Sequence, residues 1–258
     1  MVPISSVSHT SPAPYCGMPP APEQLLQAWN SDWRLLAALA LLAAAGVLVA
    51  PARRKAFALG WLALLLAFVS PLCALTTALF AARSVHHVWL LTVAAPLLGA
   101  ALPQLARRVP SGTALLATLA VLTLWHVPQV YALAWQSHAV YWGLQLALLL
   151  PAVVFWAGIF AGGQGGAAAS HSVGALAQMA ALAGVMGLIG AVLTFAPTVL
   201  YPEHGLAPLA YGLQPLEDQQ LGGLLMWVPG LLPLAAIAGA VLCQAWRQAA
   251  HTAQVAAP

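Results

Sequence analysis

Seven apolar stretches follow one another along this chain with only short polar breaks between them: 33–50, 56–79, 85–106, 112–134, 139–161, 173–199 and 220–246. A helix needs about 20 mostly apolar residues to cross a bilayer. Backbone in lipid must also satisfy its own hydrogen bonds, which favours helices for such runs. The layout therefore predicts an all-α polytopic membrane protein with seven transmembrane helices in one bundle. The rest of the composition agrees, with charged residues at 5% and hydrophobic ones at 62%. A soluble domain carries about 25% charged residues, so the lipid bilayer is the expected surroundings of this chain. Eight basic residues against five acidic ones are too few for a nucleic-acid footprint.

The domain reading is a Pro/Ser-rich external tail over 1–30, the membrane domain over 31–247 and a cytoplasmic tail over 248–258. The Gly/Ala stretch 161–169 reads as a flexible linker, and no cleavable signal-peptide pattern is seen at the start. Basic residues favour cytoplasmic loops. With the N-terminus outside, Arg53, Arg54, Lys55, Arg107, Arg108 and Arg247 lie on the cytoplasmic side, and only Arg34 and Arg83 lie outside. The C-terminus is then cytoplasmic. Pro71, Pro96, Pro128, Pro151, Pro197 and Pro229 fall within spans and are expected to kink helices of a compact bundle.

Ionisable groups inside spans are costly and by default mark a site. In this orientation His86 and His87 open the third span at its outer end, and His126 sits about two turns inside the fourth. His138 leads into the fifth span from outside, His204 lies in the outer loop, and Glu217 and Asp218 lead into the seventh. Imidazoles and carboxylates from several helices thus approach one outer layer. Such a layer suits a metal, because neutral imidazole binds copper or zinc and carboxylates orient imidazoles. Met226, Cys16 and Met18 are soft sulfur donors suited to Cu(I). Plainer roles stand beside this one. His86, His138 and His204 are also placed as interfacial residues, and His126 can bond a carbonyl loosened by Pro128. Glu217 and Asp218 can stabilise a helix N-terminus, although Gln219 and Gln220 exceed what a cap needs. Cys16, Cys73 and Cys243 form no CxxC pattern or disulfide framework, and Cys73 and Cys243 read as helix packing.

The run "LEDQQLGGLLMWVPG" (216–230) resembles the signature of the CtaG family of membrane-embedded cytochrome c oxidase assembly factors, whose members carry a closely similar LEDQQLAGLIMW. "SPLCALTTALFAARSVHHVWLLTVAAPLL" is similar to the family's SPLD…HMxxHxLLxxxAPPLL segment. "LWHVPQVYALAW" is similar to its WHxPxLY motif, and "LTFAPTVLYP" to the stretch before the final span. The resemblance implies seven membrane helices and places His87 and His126 at family His positions, with Glu217, Asp218, Gln219 and Gln220 as its EDQQ run. The chain departs from the pattern at Arg83, where the family has the first His of HMxxH. It departs again at Tyr141 and Gln145, which replace histidines, and at Cys73, which replaces the Asp of SPLD.

What the resemblance implies is an assembly factor for a haem–copper terminal oxidase in a bacterial inner membrane, with oxidase subunits as partners and copper delivered from the periplasmic side. His87 and His126 are then the expected copper ligands. Glu217, Asp218, Gln219, Gln220, Met226, His86 and His138 are expected to orient them or a partner. The departures motivate an alternative, an accessory subunit or scaffold bound to the oxidase with metal handling lost. A transporter is disfavoured, since no paired half-helices or inverted repeat is evident. No nucleophile–base pair, phosphate loop or HExxH motif points to an enzyme.

Overall fold

The computed structural model describes residues 13–161 and 168–256, whose regular structure is all helical, without strands among the described residues. Residues 1–12, most of the expected linker (162–167) and the last two positions lie outside the described residues. The helices are α1 (Trp33–Val49), α2 (Arg54–Phe68), α3 (Pro71–Ala78), α4 (Phe80–Trp89), α5 (Ala95–Ala101), α6 (Ser111–Trp125), α7 (Pro128–Gln136), α8 (His138–Ala161), α9 (Ala168–Phe195), α10 (Pro215–Trp227) and α11 (Leu232–Ala256).

Four continuous helical segments are long and apolar enough to cross a membrane: Phe80–Ala101, His138–Ala161, Ser170–Phe195 and Pro215–Ala250. Two bent pairs raise the number to six if each is one span: Trp33–Val49 with Pro51–Phe68, bent by 103°, and Ser111–Trp125 with Pro128–Gln136, bent by 81°. The structure therefore supports four to six spans by length and composition, against the seven expected. The difference lies mainly in the first two stretches, whose helices have 17 and 15 residues, short of the usual crossing length.

Prolines explain most of the boundaries. Pro151 sits inside α8, and Pro96 and Pro229 lie within the continuous segments Phe80–Ala101 and Pro215–Ala250. Pro71 opens α3 behind the Ser70 cap, Pro128 opens α7, Pro96 falls in the first turn of α5, and Pro229 begins a 3-10 turn between α10 and α11. Pro197 follows the end of α9. Pro71 and Pro128 are thus helix starts, where the missing N–H of proline costs nothing, while Pro96, Pro151 and Pro229 fall within continuous helical segments, as expected. The fourth expected span shows the consequence. α6 ends at Trp125 with His126 and Val127 closing it by bonds to Thr123 O and Leu124 O, and α7 restarts at an angle. His126 is therefore a helix-end residue rather than one buried two turns inside a span.

One π-helical turn, Leu90–Ala94, joins α4 to α5. Its Leu91 carbonyl accepts a 2.7 Å hydrogen bond from Trp156 Nε1 of α8, so a side chain satisfies backbone in this widened turn. α10 lies in backbone contact with two neighbours. A Cβ on Gly223 would stand 2.5 Å from Gly190 O and 2.6 Å from Thr194 N of α9, and one on Gly222 would meet Phe80 and Ser84 of α4. Small residues allow this close approach, and they follow directly after the EDQQ run.

Candidate functional site

The EDQQ run works on the inside of the protein. Glu217, which is exposed, accepts a hydrogen bond from Gln214 N at 2.8 Å and caps its own helix. Asp218 is 1% exposed, and its two oxygens accept from Phe80 N at 2.7 Å and Ala81 N at 3.0 Å. The first amides of α4 have no partner within their helix. A carboxylate from α10 therefore caps α4, with the helix dipole in its favour. Gln219 accepts from Leu200 N at 2.6 Å and donates to Thr198 O at 3.2 Å, and Gln220 donates to Ala196 O at 3.2 Å. Together they fasten the segment 196–201 to α10.

That segment reaches His126. The Tyr201 hydroxyl donates to His126 O at 2.7 Å, and the Tyr201 ring stacks on Phe80 at 4.3 Å. Asp218 thus holds the helix that carries His87, while Gln219 holds the loop that holds His126. Met226, further along α10, is fully buried in the apolar core.

His87 and His126 are brought together, with ring centroids 5.7 Å apart. His126 Nδ1 lies 2.7 Å from Leu122 O. A carbonyl can only accept, so Nδ1 carries the proton and Nε2 keeps its lone pair. Both nitrogens of His87 are buried without a hydrogen-bond partner, and its ring packs 4.9 Å from that of Trp125. His86 faces Phe68 at 5.1 Å, and its ring nitrogens are likewise unpartnered. Beyond these two imidazoles the donor set stops. Among the described residues no group of three or more His, Cys, Asp or Glu is placed to hold a metal.

Arg83 shares a helix face with His86 and His87 at spacings of three and four. Sequence placed it in an outer loop, but it lies inside α4 at 4% exposure. Its Nη2 approaches Thr76 O at 3.5 Å, and Nε and Nη1 have no partner. The guanidinium lies over the Tyr141 ring, 5.5 Å from its centroid. His204, in the connection between α9 and α10, bonds Tyr131 Oη at 2.7 Å. Burial first, and the charge of Arg83 second, hold its imidazole down to about 3.

Sequence reasoning missed the covering of this layer. Cys16 and Cys73 form a disulfide that ties the N-terminal segment to the start of α3. Neither is a free thiolate donor, and Cys73 is not ordinary helix packing. Met18 is exposed. The described part of the tail, expected to be loose, is held at several further points. The Tyr15 hydroxyl donates to Asp32 at 2.8 Å, its ring stacks on Tyr141 at 5.1 Å, His138 Nε2 donates to Ala13 O at 3.0 Å, and the Tyr211 hydroxyl donates to Pro20 O at 2.9 Å. Burial and the Asp32 hydrogen bond push the Tyr15 hydroxyl up to about 12. The Tyr15 hydroxyl and the Arg34 amide hold Asp32 below the usual carboxylate range. His138 is thus an anchor for the strap. One signal was available, since the orientation already put Cys16 and Cys73 on one side.

A family model for the cytochrome c oxidase caa3 assembly factor matches residues 33–248. The chain belongs to that family. No curated protein and no solved structure matches it. Within this assembly factor, two of the positions expected to depart from the family pattern, Arg83 and Tyr141, lie against each other. Arg83 lies over Tyr141, Tyr141 stacks on Tyr15, and Gln145 is buried with both amide atoms unpartnered.

Proposed function

We propose that this cytochrome c oxidase assembly factor acts without catalysis, as a membrane scaffold whose rigid outer layer holds an oxidase subunit during maturation. The observation that carries the reading is the use of the EDQQ run. Each of its side chains is spent on the protein's own backbone, building one fastened layer from α4, α10, the segment 196–201 and His126. The donor set beside it favours a scaffold over a resident copper centre, because two imidazoles stand next to an unneutralised Arg83, and a buried cation disfavours a second one.

A second reading rests on the 5.7 Å between the His87 and His126 rings. That separation suits two imidazoles sharing one ion, each nitrogen about 2.0–2.1 Å from it. In this reading Cu(I) is cargo passing between the two rings.

The layer faces the outside of a bacterial inner membrane in either reading. Disulfides persist in oxidising compartments, which supports an outer location for Cys16 and Cys73. Arg53, Arg107 and Gln244 line one cleft, which supports a cytoplasmic C-terminal helix near the basic loops. An external N-terminus with a cytoplasmic C-terminus requires an odd number of crossings, and seven is the number the scaffold reading adopts. A photo-crosslinking residue in place of the exposed Leu206, in the outer loop, tests the scaffold. An oxidase subunit captured there during maturation is the expected result. Capture of no oxidase subunit, with normal amounts of the protein, contradicts it.

A further inference from the structure

A cleft of about 750 Å³ opens at one end of the bundle, and its polar lining is Arg53, Gln104, Arg107, Ser111, His171 and Gln244. Ligand sites commonly measure roughly 300–1,000 Å³. The lining comes from α6, α8, α9 and α11 and from the turns before α2 and after α5. This end lies far from the layer around His87. α8 runs 24 residues from His138, which bonds the strap at Ala13 O, to Ala161 in the cleft wall. At 1.5 Å per residue that is about 36 Å.

Two guanidinium groups, which do not lose their protons in a protein, line the cleft, and no acidic side chain does. The segment Phe80–Ala101 shows how charge is divided between the two ends. Its first amides are capped by Asp218, and near its last turn Ala100 O accepts a 2.6 Å hydrogen bond from Arg53 Nη1. Asp32 bonds the strap through Tyr15, and Glu217 caps the same helix start as its neighbour Asp218. Ser111 in the cleft wall is the first residue of α6, and no side chain caps that helix. An uncapped helix N-terminus favours an anion nearby. His171 Nε2 donates to Ile159 O at 3.2 Å and ties the start of α9 to the end of α8.

We infer that this cleft binds the phosphate of an anionic phospholipid headgroup, held by Arg53 and Arg107. Guanidinium groups match phosphate oxygens in geometry and charge. A free phosphate ion shares that chemistry, but the position of the cleft favours the lipid. Phe80–Ala101 and His138–Ala161, both long and apolar enough to cross a membrane, end at its edge, which puts it at headgroup depth. Phe160 and Pro103 add an apolar wall beside the arginines, suited to the glycerol and the first acyl carbons. Basic pockets between membrane helices take anionic headgroups in this way. Neither copper handling nor the holding of an oxidase subunit enters the assignment.

The test uses the full-length protein in an uncharged detergent, unfolded thermally with phosphatidylglycerol, phosphatidylcholine or sodium phosphate at equal phosphate concentration. Phosphatidylglycerol is expected to raise the midpoint saturably, by about 3 °C at a tenfold excess over the dissociation constant. Phosphatidylcholine and sodium phosphate should leave it near the value in detergent alone. The increment should be largely lost in Arg107→Gln, whose side chain is exposed and bears little on folding. Arg108→Gln removes the same charge one residue outside the lining and should keep the increment. No increment with phosphatidylglycerol, or an equal one with phosphatidylcholine, overturns the assignment. An equal increment with sodium phosphate overturns it in favour of a free ion. Equal losses in the two variants overturn it in favour of diffuse surface charge.

Discussion

Replacing Asp218 by Asn is the sharpest perturbation of the layer that the EDQQ run fastens. The side chain keeps its volume, but one oxygen becomes an NH₂ facing a backbone N–H. Asp218 accepts two amide bonds at 2.7 and 3.0 Å while 1% exposed. Hydrogen bonds to a charged group contribute about 1.5–3 kcal/mol each, and a buried donor left unsatisfied costs about 1–3 kcal/mol. Loss of the favourable dipole interaction adds up to about 2 kcal/mol in a buried setting. These overlap, and a loss of about 3–5 kcal/mol is expected for Asp218→Asn. Glu217→Gln is the control, because Glu217 is exposed and the amide oxygen still caps Gln214 N, so a loss under about 1 kcal/mol is expected. Thermal unfolding of the purified variants measures both, and hydrogen exchange at the Phe80 and Ala81 amides locates the damage. Equal losses for the two variants, or unchanged protection at those amides, refute the cross-helix cap.

Reduction of Cys16–Cys73, or the Cys16→Ser/Cys73→Ser variant, releases a separation of 57 residues. The chain-entropy relation gives about 4 kcal/mol for it, read as a lowered unfolding midpoint with exposure of Tyr15. His204 titrates near 6.5 when unfolded and only near 3 when folded. Its contribution is therefore fully present above pH 6.5 and lost as pH falls towards 3, at about 1.4 kcal/mol per unit. Stability against pH should be steeper below 6.5 for the wild type than for His204→Gln. Gly223→Ala forces α9 and α10 apart and is expected to cost about 1–3 kcal/mol or more, while Gly184→Ala, with open space at its Cβ, should leave the unfolding midpoint near the wild-type value.

The membrane character of the fold was legible because hydropathy reports burial in lipid directly. Helix boundaries were less so, since Pro128 and Pro229 carry the same letters whether they kink a helix or begin one. That His87 and His126 approach one layer was legible from the side on which their spans bring them together, and the structure places the two rings side by side. The partners of Asp218 were not, because Phe80 and Ala81 lie more than 130 residues away and any backbone amide would serve. The burial of Arg83 was hidden for a related reason. A charged letter beside a polar break reads as a loop, and only packing shows that α4 begins before it. The disulfide escaped because a separation of 57 residues leaves no local pattern.

The scaffold account is tested most directly by the copper content of the oxidase. In cells lacking this chain, the oxidase is measured after supplying the wild type or the His87→Ala/His126→Ala variant at equal membrane levels. The account predicts little mature oxidase without the chain and a full copper complement with either version. An oxidase that assembles with the variant but lacks copper contradicts it and establishes copper transfer through the two imidazoles instead.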